Sequence, residues 1–197
     1  MSIRLAIVGV GHITRHYFEA LFQVPEFTLV GLCDTAGRFP ADCELDCFTD
    51  VDQLLARRQP EMVIIATPND SHLCVAQQVM EAGAWAVVEK PVVLNAQQLE
   101  VLDGHAGRVS VALHAAFGKE LLALTRLRRD GLSLGRVLAI HSAFYDPYFT
   151  PAGLVDGAVS LSGSWLDSGI NALSVWQRIF PEMRLNVTDA VFQESDE

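Results

Sequence analysis

The sequence predicts an α/β fold in which helices cover both faces of a doubly wound parallel sheet. Short and almost unbroken apolar runs recur between residue 1 and about residue 115, as expected for strands that are buried on both faces. Helical patterns alternate with these runs. The connections are short, which favours right-handed β-α-β crossovers.

The composition excludes several classes of protein. At 197 residues, the chain has room for one large domain or for one domain and part of a second, and 50% of its residues are hydrophobic. Its formal net charge of −10 argues against a nucleic-acid partner, which would require a basic surface. No apolar run approaches the roughly 18 residues that span a membrane. No cleavable signal pattern is found, so we expect a cytoplasmic protein.

The four cysteines give no indication of a disulfide framework or of a metal site. Cys33 and Cys74 fall within apolar segments and are interpreted as reduced core residues. Cys43 and Cys47 have a chelating spacing, but no histidine or second cysteine pair completes a site. We therefore predict no bound metal.

The first element is a strand over residues 3–8, followed by Gly9-Val10-Gly11 and an amphipathic helix that includes Tyr17. A strand, a Gly-x-Gly turn and a helix form the opening of a dinucleotide-binding unit. Gly9 permits the tight turn, and Gly11 lets the backbone approach a pyrophosphate at the helix N-terminus. The third position of the motif is Thr14 rather than glycine, so an ordinary strand-to-helix turn is the alternative.

A second buried strand, Phe27–Cys33, leads directly to Asp34. An acidic residue at this distance from the glycine turn accepts hydrogen bonds from the adenosine ribose hydroxyls, and its charge favours NAD over NADP. Arg38 opposes this preference, because a nearby arginine can accommodate a 2′-phosphate. A simple turn residue is the alternative role for Asp34.

Polar residues 37–50 are predicted to be irregular, with a short strand near Cys47–Phe48. Asp50 is expected to cap a helix over Val51–Arg57. The next buried strand, Met62–Ala66, runs into the segment Thr67–His72. Asp70 or Ser71 is expected to cap the helix that follows.

A further strand, Ala84–Val88, delivers the segment Glu89-Lys90-Pro91 to the sheet edge. Asn95 is expected to cap the following helix, and Val109–Leu113 returns as the last strand. Ligands of such sheets lie at the carboxyl ends of the strands. The loops after the strands are therefore the expected binding edge.

The alternation of elements changes after about residue 115, where an α+β pattern begins. A helix over Lys119–Arg129 precedes a predicted strand over Val137–Phe144 and a loop over Tyr145–Gly163. A helix that opens at Trp165 and reaches about Phe180 comes next, and a strand-like segment, Leu185–Phe192, follows.

Three polar residues are candidates for chemistry. Lys90 stands at the end of a buried strand between Glu89 and a proline, where its ammonium could hydrogen-bond a substrate hydroxyl and exchange a proton with it. Asp167 and Asn171 are four residues apart and so lie on one helix face. A carboxylate beside an amide suits a polyol, because one group takes a proton and the other orients the oxygen. A surface lysine and a helix cap by Asp167 are the alternatives.

The ordered set GVGHIT, Asp34, ATPNDSH, EKP and DSGIN resembles the Gfo/Idh/MocA family of NAD(P)-dependent oxidoreductases. The resemblance runs from residue 3 to about residue 180. It implies a Rossmann-type doubly wound parallel sheet over residues 1–116. A truncated α+β domain for substrate binding and oligomerisation is expected over residues 117–197.

The resemblance also implies roles for individual residues. The glycine turn and the adjoining helix start would bind the pyrophosphate, Asp34 the ribose, and the segment after the third long strand the nicotinamide side. Lys90 would touch both the nicotinamide ribose and the substrate. The residues expected at the cofactor are Gly9, Gly11, His12, Ile13, Asp34, Arg38, Thr67, Pro68, Asn69, His72, Glu89 and Lys90.

One departure from the family pattern concerns catalysis. The family carries Asp-x-Gly-x-His, whereas Asn171 stands at the histidine position, and an amide is not a general base near neutral pH. The string is similar to that of galactose and arabinose 1-dehydrogenases, which suggests oxidation of an aldose at its anomeric carbon. Proton transfer would then fall to Asp167 or Lys90. The segment His114–Phe117 also lacks an arginine that many members carry before the phenylalanine, so a substrate contact is expected to be missing.

The second departure is length, because only two strands of the family's C-terminal sheet can be recognised. The chain is thus a fragment, a split gene product or a protein whose partner completes the sheet, with homo-oligomerisation through that sheet expected. The favoured function is an NAD(P)-dependent sugar or polyol dehydrogenase. The alternatives are a catalytically inactive dinucleotide- or sugar-binding sensor, an inactive fragment, and a structural α/β domain.

Overall fold

The computed structural model describes residues 2–104, 107–143, 149–150, 153–154, 165–184, 186 and 188–189. The strands are β1 (Ile3–Val8), β2 (Phe27–Cys33), β3 (Cys47–Phe48), β4 (Met62–Ile65), β5 (Trp85–Glu89), β6 (Val109–Ala112), β7 (Phe149–Thr150) and β8 (Gly153–Leu154). The α-helices are α1 (Thr14–Leu21), α2 (Val51–Arg58), α3 (His72–Glu81), α4 (Ala96–Asp103), α5 (Lys119–Arg129) and α6 (Ile170–Ile179).

The first six strands form one parallel sheet in the order β3-β2-β1-β4-β5-β6. The chain runs outward from β1 to β3 and then returns to pair β4 with the other side of β1. This reversal places a crevice at the carboxyl ends of β1 and β4, which is where doubly wound sheets bind their ligands. The predicted fold class is confirmed.

The strands read as apolar runs because both faces of the sheet are covered. One face of β1 contributes Ala6 and Val8 to a core that includes Leu54 of α2 and Val79 of α3. The opposite face contributes Leu5 and Ile7, against which the half-buried side chains of α1 pack. Each strand therefore buries alternate residues in two separate cores.

Two of the predicted helix caps are confirmed, and one is wrong. Asp50 accepts a hydrogen bond from the backbone N–H of Gln53 (2.8 Å), and Asn95 accepts one from that of Gln98 (3.0 Å). Neither Asp70 nor Ser71 caps α3 with its side chain. A 3-10 turn over Asn69–Ser71 precedes this helix instead, and the Ser71 hydroxyl donates back into the turn.

The segment beyond the sheet corrects another prediction. Residues 137–143 lie in no strand, and the predicted end of that strand, Phe144, lies outside the described residues. Most of the predicted strand Leu185–Phe192 also lies outside them. The predicted helix after Trp165 opens with a π-helical turn, Trp165–Gly169, and continues as α6. A short antiparallel pair, β7 and β8, falls in the predicted loop.

Among the residues that the structure describes, no helix combines the length and apolar character needed to cross a membrane.

Candidate active site

The candidate site is a cleft of about 460 Å³ at the carboxyl ends of the central strands. Its walls come from the turn after β1, the end of β2, the loops after β4 and β5, and the π-helical turn. All the residues expected at the cofactor line it, together with one of the two candidates from the C-terminal segment: Gly9, Gly11, His12, Ile13, Asp34, Arg38, Thr67, Pro68, Asn69, His72, Glu89, Lys90 and Asp167.

The turn after β1 depends on two glycines for different reasons. Gly9 has φ +91°, and a Cβ there would lie 2.5 Å from the carbonyl oxygen of Ala66, so this position brings β1 against the end of β4. A Cβ on Gly11 would meet nothing within 4 Å. Gly11 therefore leaves open space at the start of α1.

Thr14 occupies the position at which the three-glycine motif has its last glycine. It is completely buried, and its hydroxyl donates to the carbonyl oxygen of Gly9 at 2.8 Å. A small side chain that satisfies its own polar group thus allows α1 to pack closely on the turn.

The carboxylate of Asp34 holds the end of β2 against the glycine turn. It is 3% exposed and accepts the backbone N–H groups of Val10 (3.0 Å) and Ala36 (2.9 Å). The Nε of Arg38 donates to it at 3.3 Å. Burial acts to raise the pKa of Asp34, but these donors together lower it below its ordinary value.

The loop after β4 is joined to the loop after β5 by His72. This residue is buried, and each ring nitrogen lies 2.8 Å from a backbone carbonyl oxygen: Nε2 from that of Thr67 and Nδ1 from that of Pro91. The Ser71 hydroxyl also donates to Thr67 Oγ1 at 2.8 Å. His72 thus reaches the cleft with both nitrogens already engaged by the protein.

Lys90 and Asp167 form an ion pair within the cleft. The Lys90 ammonium donates to Asp167 Oδ1 and, at 3.3 Å, to the Asp167 carbonyl oxygen. The two side chains are 15% and 8% exposed. The fold therefore brings together two residues that lie 77 positions apart in the sequence. Each of them was predicted separately as a catalytic group, and that prediction requires them to be close. Asp167 does not act as a helix N-cap, because it lies inside the π-helical turn.

Asn171 lies one turn beyond this pair and does not line the cleft. It is 5% exposed, and its Nδ2 donates to the carbonyl oxygen of Asp167 at 3.4 Å. Among the described residues, its Oδ1 is buried without a hydrogen-bond partner. The contact thus joins the Asn171 side chain to the backbone of Asp167 and not to its carboxylate.

One contact at the site was not found by sequence reasoning. The hydroxyl of Tyr17 donates to Glu89 Oε1 at 2.5 Å, although the helical pattern gave Tyr17 only an apolar role. A tyrosine on the sheet-facing side of α1 and an acid at the end of β5 are the only signals in the sequence, and no spacing rule connects them.

The residues of the cleft fit a nicotinamide dinucleotide. The open space at Gly11 and the start of α1 suit a pyrophosphate, because free N–H groups and the helix dipole favour anions there. On the opposite side of the cleft, Nδ2 of Asn69 is buried without a partner within the described part of the chain, and so offers a donor.

No metal centre is found in the part of the chain that the structure describes, where no group of three or more histidine, cysteine or carboxylate side chains could hold an ion. The Sγ atoms of Cys43 and Cys47 lie 3.7 Å apart. Cys33 is a buried free thiol, as predicted, whereas the prediction of Cys74 as a core residue is wrong, because this thiol is free but exposed on α3.

The parallel sheet, its glycine turn and the acidic residue after β2 define a dinucleotide-binding protein of the Rossmann class. A family model described as an oxidoreductase family with an NAD-binding Rossmann fold matches residues 3–117. The chain therefore belongs to the Gfo/Idh/MocA oxidoreductase family.

Two of the curated relatives are named as dehydrogenases of a nucleotide sugar and of a cyclitol. The UDP-N-acetylglucosamine 3-dehydrogenase of Acidithiobacillus ferrooxidans is 31% identical over 143 residues, which cover 70% of this chain and 44% of that protein. The inositol 2-dehydrogenase of Rhizobium meliloti is 25% identical over 198 residues, which cover 95% of this chain and 58% of that protein. The chain thus spans about half the length of the relatives it matches.

Solved structures share the fold. The WlbA dehydrogenase of Thermus thermophilus, in complex with NAD and α-ketoglutarate, has a TM-score of 0.61 at 21% identity and covers 91% of this chain and 62% of its own. The scyllo-inositol dehydrogenase of Lactobacillus casei, with bound NAD(H) and scyllo-inositol, has a TM-score of 0.57 at 21% identity. The match covers 66% of this chain and 42% of that protein.

Proposed function

We propose that this chain carries the cofactor site and the proton-transfer residues of an NAD(P)-dependent dehydrogenase that oxidises a carbinol carbon of a sugar or polyol. The observation that carries the proposal is the Lys90–Asp167 ion pair. It lies in the same cleft as the glycine turn, so the diphosphate and the reacting carbon would share one ligand site.

Oxidation of the carbinol group removes a hydride from its carbon and a proton from its oxygen. The C–H hydrogen leaves with its electron pair, the O–H proton leaves separately, and a carbonyl group remains. A bound nicotinamide supplies the hydride acceptor. Lys90 lies where a substrate hydroxyl can hydrogen-bond it, and Asp167 holds its ammonium in place. Within the pair, the hydroxyl proton passes directly to the Asp167 carboxylate, or to Lys90 as its ammonium gives one of its own protons to Asp167.

Asn171 has an orienting role in this proposal. Its amide cannot take a proton near neutral pH. It acts on Asp167 rather than on the substrate, because its Nδ2 donates to the carbonyl oxygen of Asp167 and so helps to orient the turn that carries the carboxylate.

We further propose NAD as the preferred cofactor. The Asp34 carboxylate lies at the ribose end of the cleft, and its negative charge repels a 2′-phosphate. Arg38 opposes this preference, since its side chain is 65% exposed and its guanidinium lies beside Asp34, where it can also accommodate a 2′-phosphate.

The substrate class rests on the relatives and on the motif. The two curated relatives act, by their names, on an N-acetylhexosamine nucleotide and on inositol. The string Asp167 to Asn171 adds an aldose oxidised at its anomeric carbon as the specific candidate. Residues 1–116 form the cofactor domain in this proposal, and residues 117–197 form part of a substrate domain whose sheet is completed on oligomerisation.

A second candidate is a binding protein that holds the dinucleotide or a sugar without turnover. Its support is Asn171, which stands where the family pattern has histidine and whose amide is not a general base near neutral pH.

The test combines cofactor binding with turnover. Calorimetric titration with NAD and with NADP should show binding of both, tighter for NAD, and absorbance of the reduced nicotinamide should then rise with an aldose or polyol from a panel. Replacing Lys90 with Arg keeps the positive charge but fixes the proton, so turnover should fall while binding persists. Lys119→Arg is the matched control, because that lysine is exposed on α5. Binding without turnover of any substrate would favour the second candidate.

A further inference from the structure

Glu89 connects the first helix of the fold to the residue that carries the ion pair. Its Oε1 accepts the hydroxyl of Tyr17 at 2.5 Å, and its Oε2 accepts the backbone N–H of Lys90 at 3.3 Å. One carboxylate therefore joins α1 to the backbone of Lys90.

The geometry of the connection is fixed by packing on the sheet. The Tyr17 ring lies against the core formed by Leu5 and Ile7, together with Val87 of β5. Val87 and Glu89 are two residues apart on β5, so their side chains point to the same face of the sheet. The Tyr17 phenol therefore reaches Glu89 from the face of the sheet that α1 covers. The Lys90 ammonium, in contrast, reaches Asp167.

The hydroxyl stays protonated over the whole working range. Burial and the adjacent Glu89 carboxylate both raise the pKa of Tyr17 well above its ordinary value. Tyr17 is thus a permanent donor, and a half-buried carboxylate that accepts such a donor is held more firmly than one exposed to water.

We propose that Tyr17 is a positioning residue for the proton-transfer pair. Its hydroxyl orients the Glu89 carboxylate, and Glu89 orients the backbone of Lys90 relative to α1. We call this chain of hydrogen bonds from Tyr17 through Glu89 to the Lys90 backbone the tie. Because α1 begins at the glycine turn, the tie sets the distance between the diphosphate end of the cleft and the Lys90 ammonium. The catalytic consequence rests on the function proposed above, whereas the tie itself does not.

The test uses the small number of lysines in the chain, which are Lys90 and Lys119. Labelling with 15N-lysine gives a spectrum with only two backbone amide signals. Tyr17→Phe removes the hydroxyl and keeps the ring, so the Lys90 amide signal should move by many linewidths, whereas the signal of exposed Lys119 should stay in place.

Two further variants separate positioning from packing. Phe18→Leu alters the same helix against the same core without touching the hydroxyl, and should lower the melting temperature but leave the Lys90 amide signal unmoved. Glu89→Gln should move this signal, and adding Tyr17→Phe to it should then produce little additional change. A Lys90 signal that is unmoved by Tyr17→Phe, or one that moves equally with Phe18→Leu, would overturn the proposal.

Turnover gives an independent measurement. Loss of a charge-assisted hydrogen bond at this site should lower kcat by roughly tenfold with a small change in KM. A wild-type chain without turnover on any sugar would defeat the proposed function, yet the amide signals would still decide whether the tie exists.

Discussion

At the scale of single residues, the Lys90–Asp167 pair combines a functional role with a structural cost. Both charges are largely removed from water, at 15% and 8% exposure, and each depends on the other. A buried pair of this kind stabilises a fold weakly, but removing one partner leaves a buried charge uncompensated. The pair is therefore more sensitive to single substitutions than to joint replacement.

We predict that Lys90→Met destabilises the chain by up to about 3–5 kcal/mol, because the buried Asp167 carboxylate loses its ion pair with the Lys90 ammonium. The double variant Lys90→Met/Asp167→Asn should recover part of that loss. Urea unfolding of the single and double variants measures both values. Equal stability of Lys90→Met and wild type would show that the pair is not formed.

Asp34 should make the stability of the chain depend on acid. Its pKa is lower in the folded chain than the ~3.9 of a free aspartate, so its stabilisation is complete above that value and is lost as the pH falls through the folded-state pKa. Asp34→Asn should lose about 1–3 kcal/mol at neutral pH, since a charged acceptor of several N–H groups is removed. The difference between variant and wild type should shrink below about pH 4. Unfolding titrations at several pH values measure it, and a difference that does not change with pH would contradict the prediction.

The residues of the site were predictable to unequal degrees. Gly9, Gly11, Asp34 and Lys90 follow buried strands directly, so the edge they share follows from the sheet alone. The contact between Tyr17 and Glu89 joins residues 72 positions apart through side chains, and neither periodicity nor motif spacing encodes it.

At the scale of elements, matched substitutions in the glycine turn can separate its role in the fold, at Gly9, from its proposed role in ligand binding, at Gly11. Gly9→Ala places a methyl group against the carbonyl of Ala66 in a left-handed conformation, and should cost at least about 1–3 kcal/mol of stability. Gly11→Ala meets no neighbour and should fold normally, but the methyl group fills the space proposed for the pyrophosphate. Thermal unfolding and NAD titration of both variants make the comparison. Unimpaired NAD binding by Gly11→Ala would argue against a diphosphate at this turn.

The helix and strand boundaries show where local signals compete. Asp50 and Asn95 were correctly predicted as caps, because each precedes a helix directly and accepts the expected N–H. Ser71 has the same residue preference, yet its hydroxyl serves the loop that lines the cleft. Residues 137–143 alternate like a strand but form none, so alternation alone did not decide this segment.

At the scale of the whole molecule, apolar side chains remain uncovered beyond the sheet. Leu127 on α5, the following residues Leu132 and Leu134, and Leu138 are exposed, with Leu138 at 80%. All four residues follow the last strand of the parallel sheet in the sequence. Patches of this kind favour association.

We predict that the chain alone associates in a concentration-dependent manner. Leu138→Ser should reduce the association. The matched change Phe22→Ser should have a smaller effect, because Phe22, although 90% exposed, follows α1 and does not belong to this segment. Light scattering over a range of concentrations measures the mass. A wild-type monomer that melts cooperatively would contradict the prediction.

The buried ring of His72 has a consequence for how a ligand is received. Its ring lies between the carbonyl oxygens of Thr67 and Pro91, so it spaces the loops after β4 and β5 and donates to one oxygen or the other according to which nitrogen carries the hydrogen. The width of this part of the slot is therefore established when the chain folds. A planar ligand would therefore enter a site that is already formed. The two loops would lose little conformational entropy when it binds.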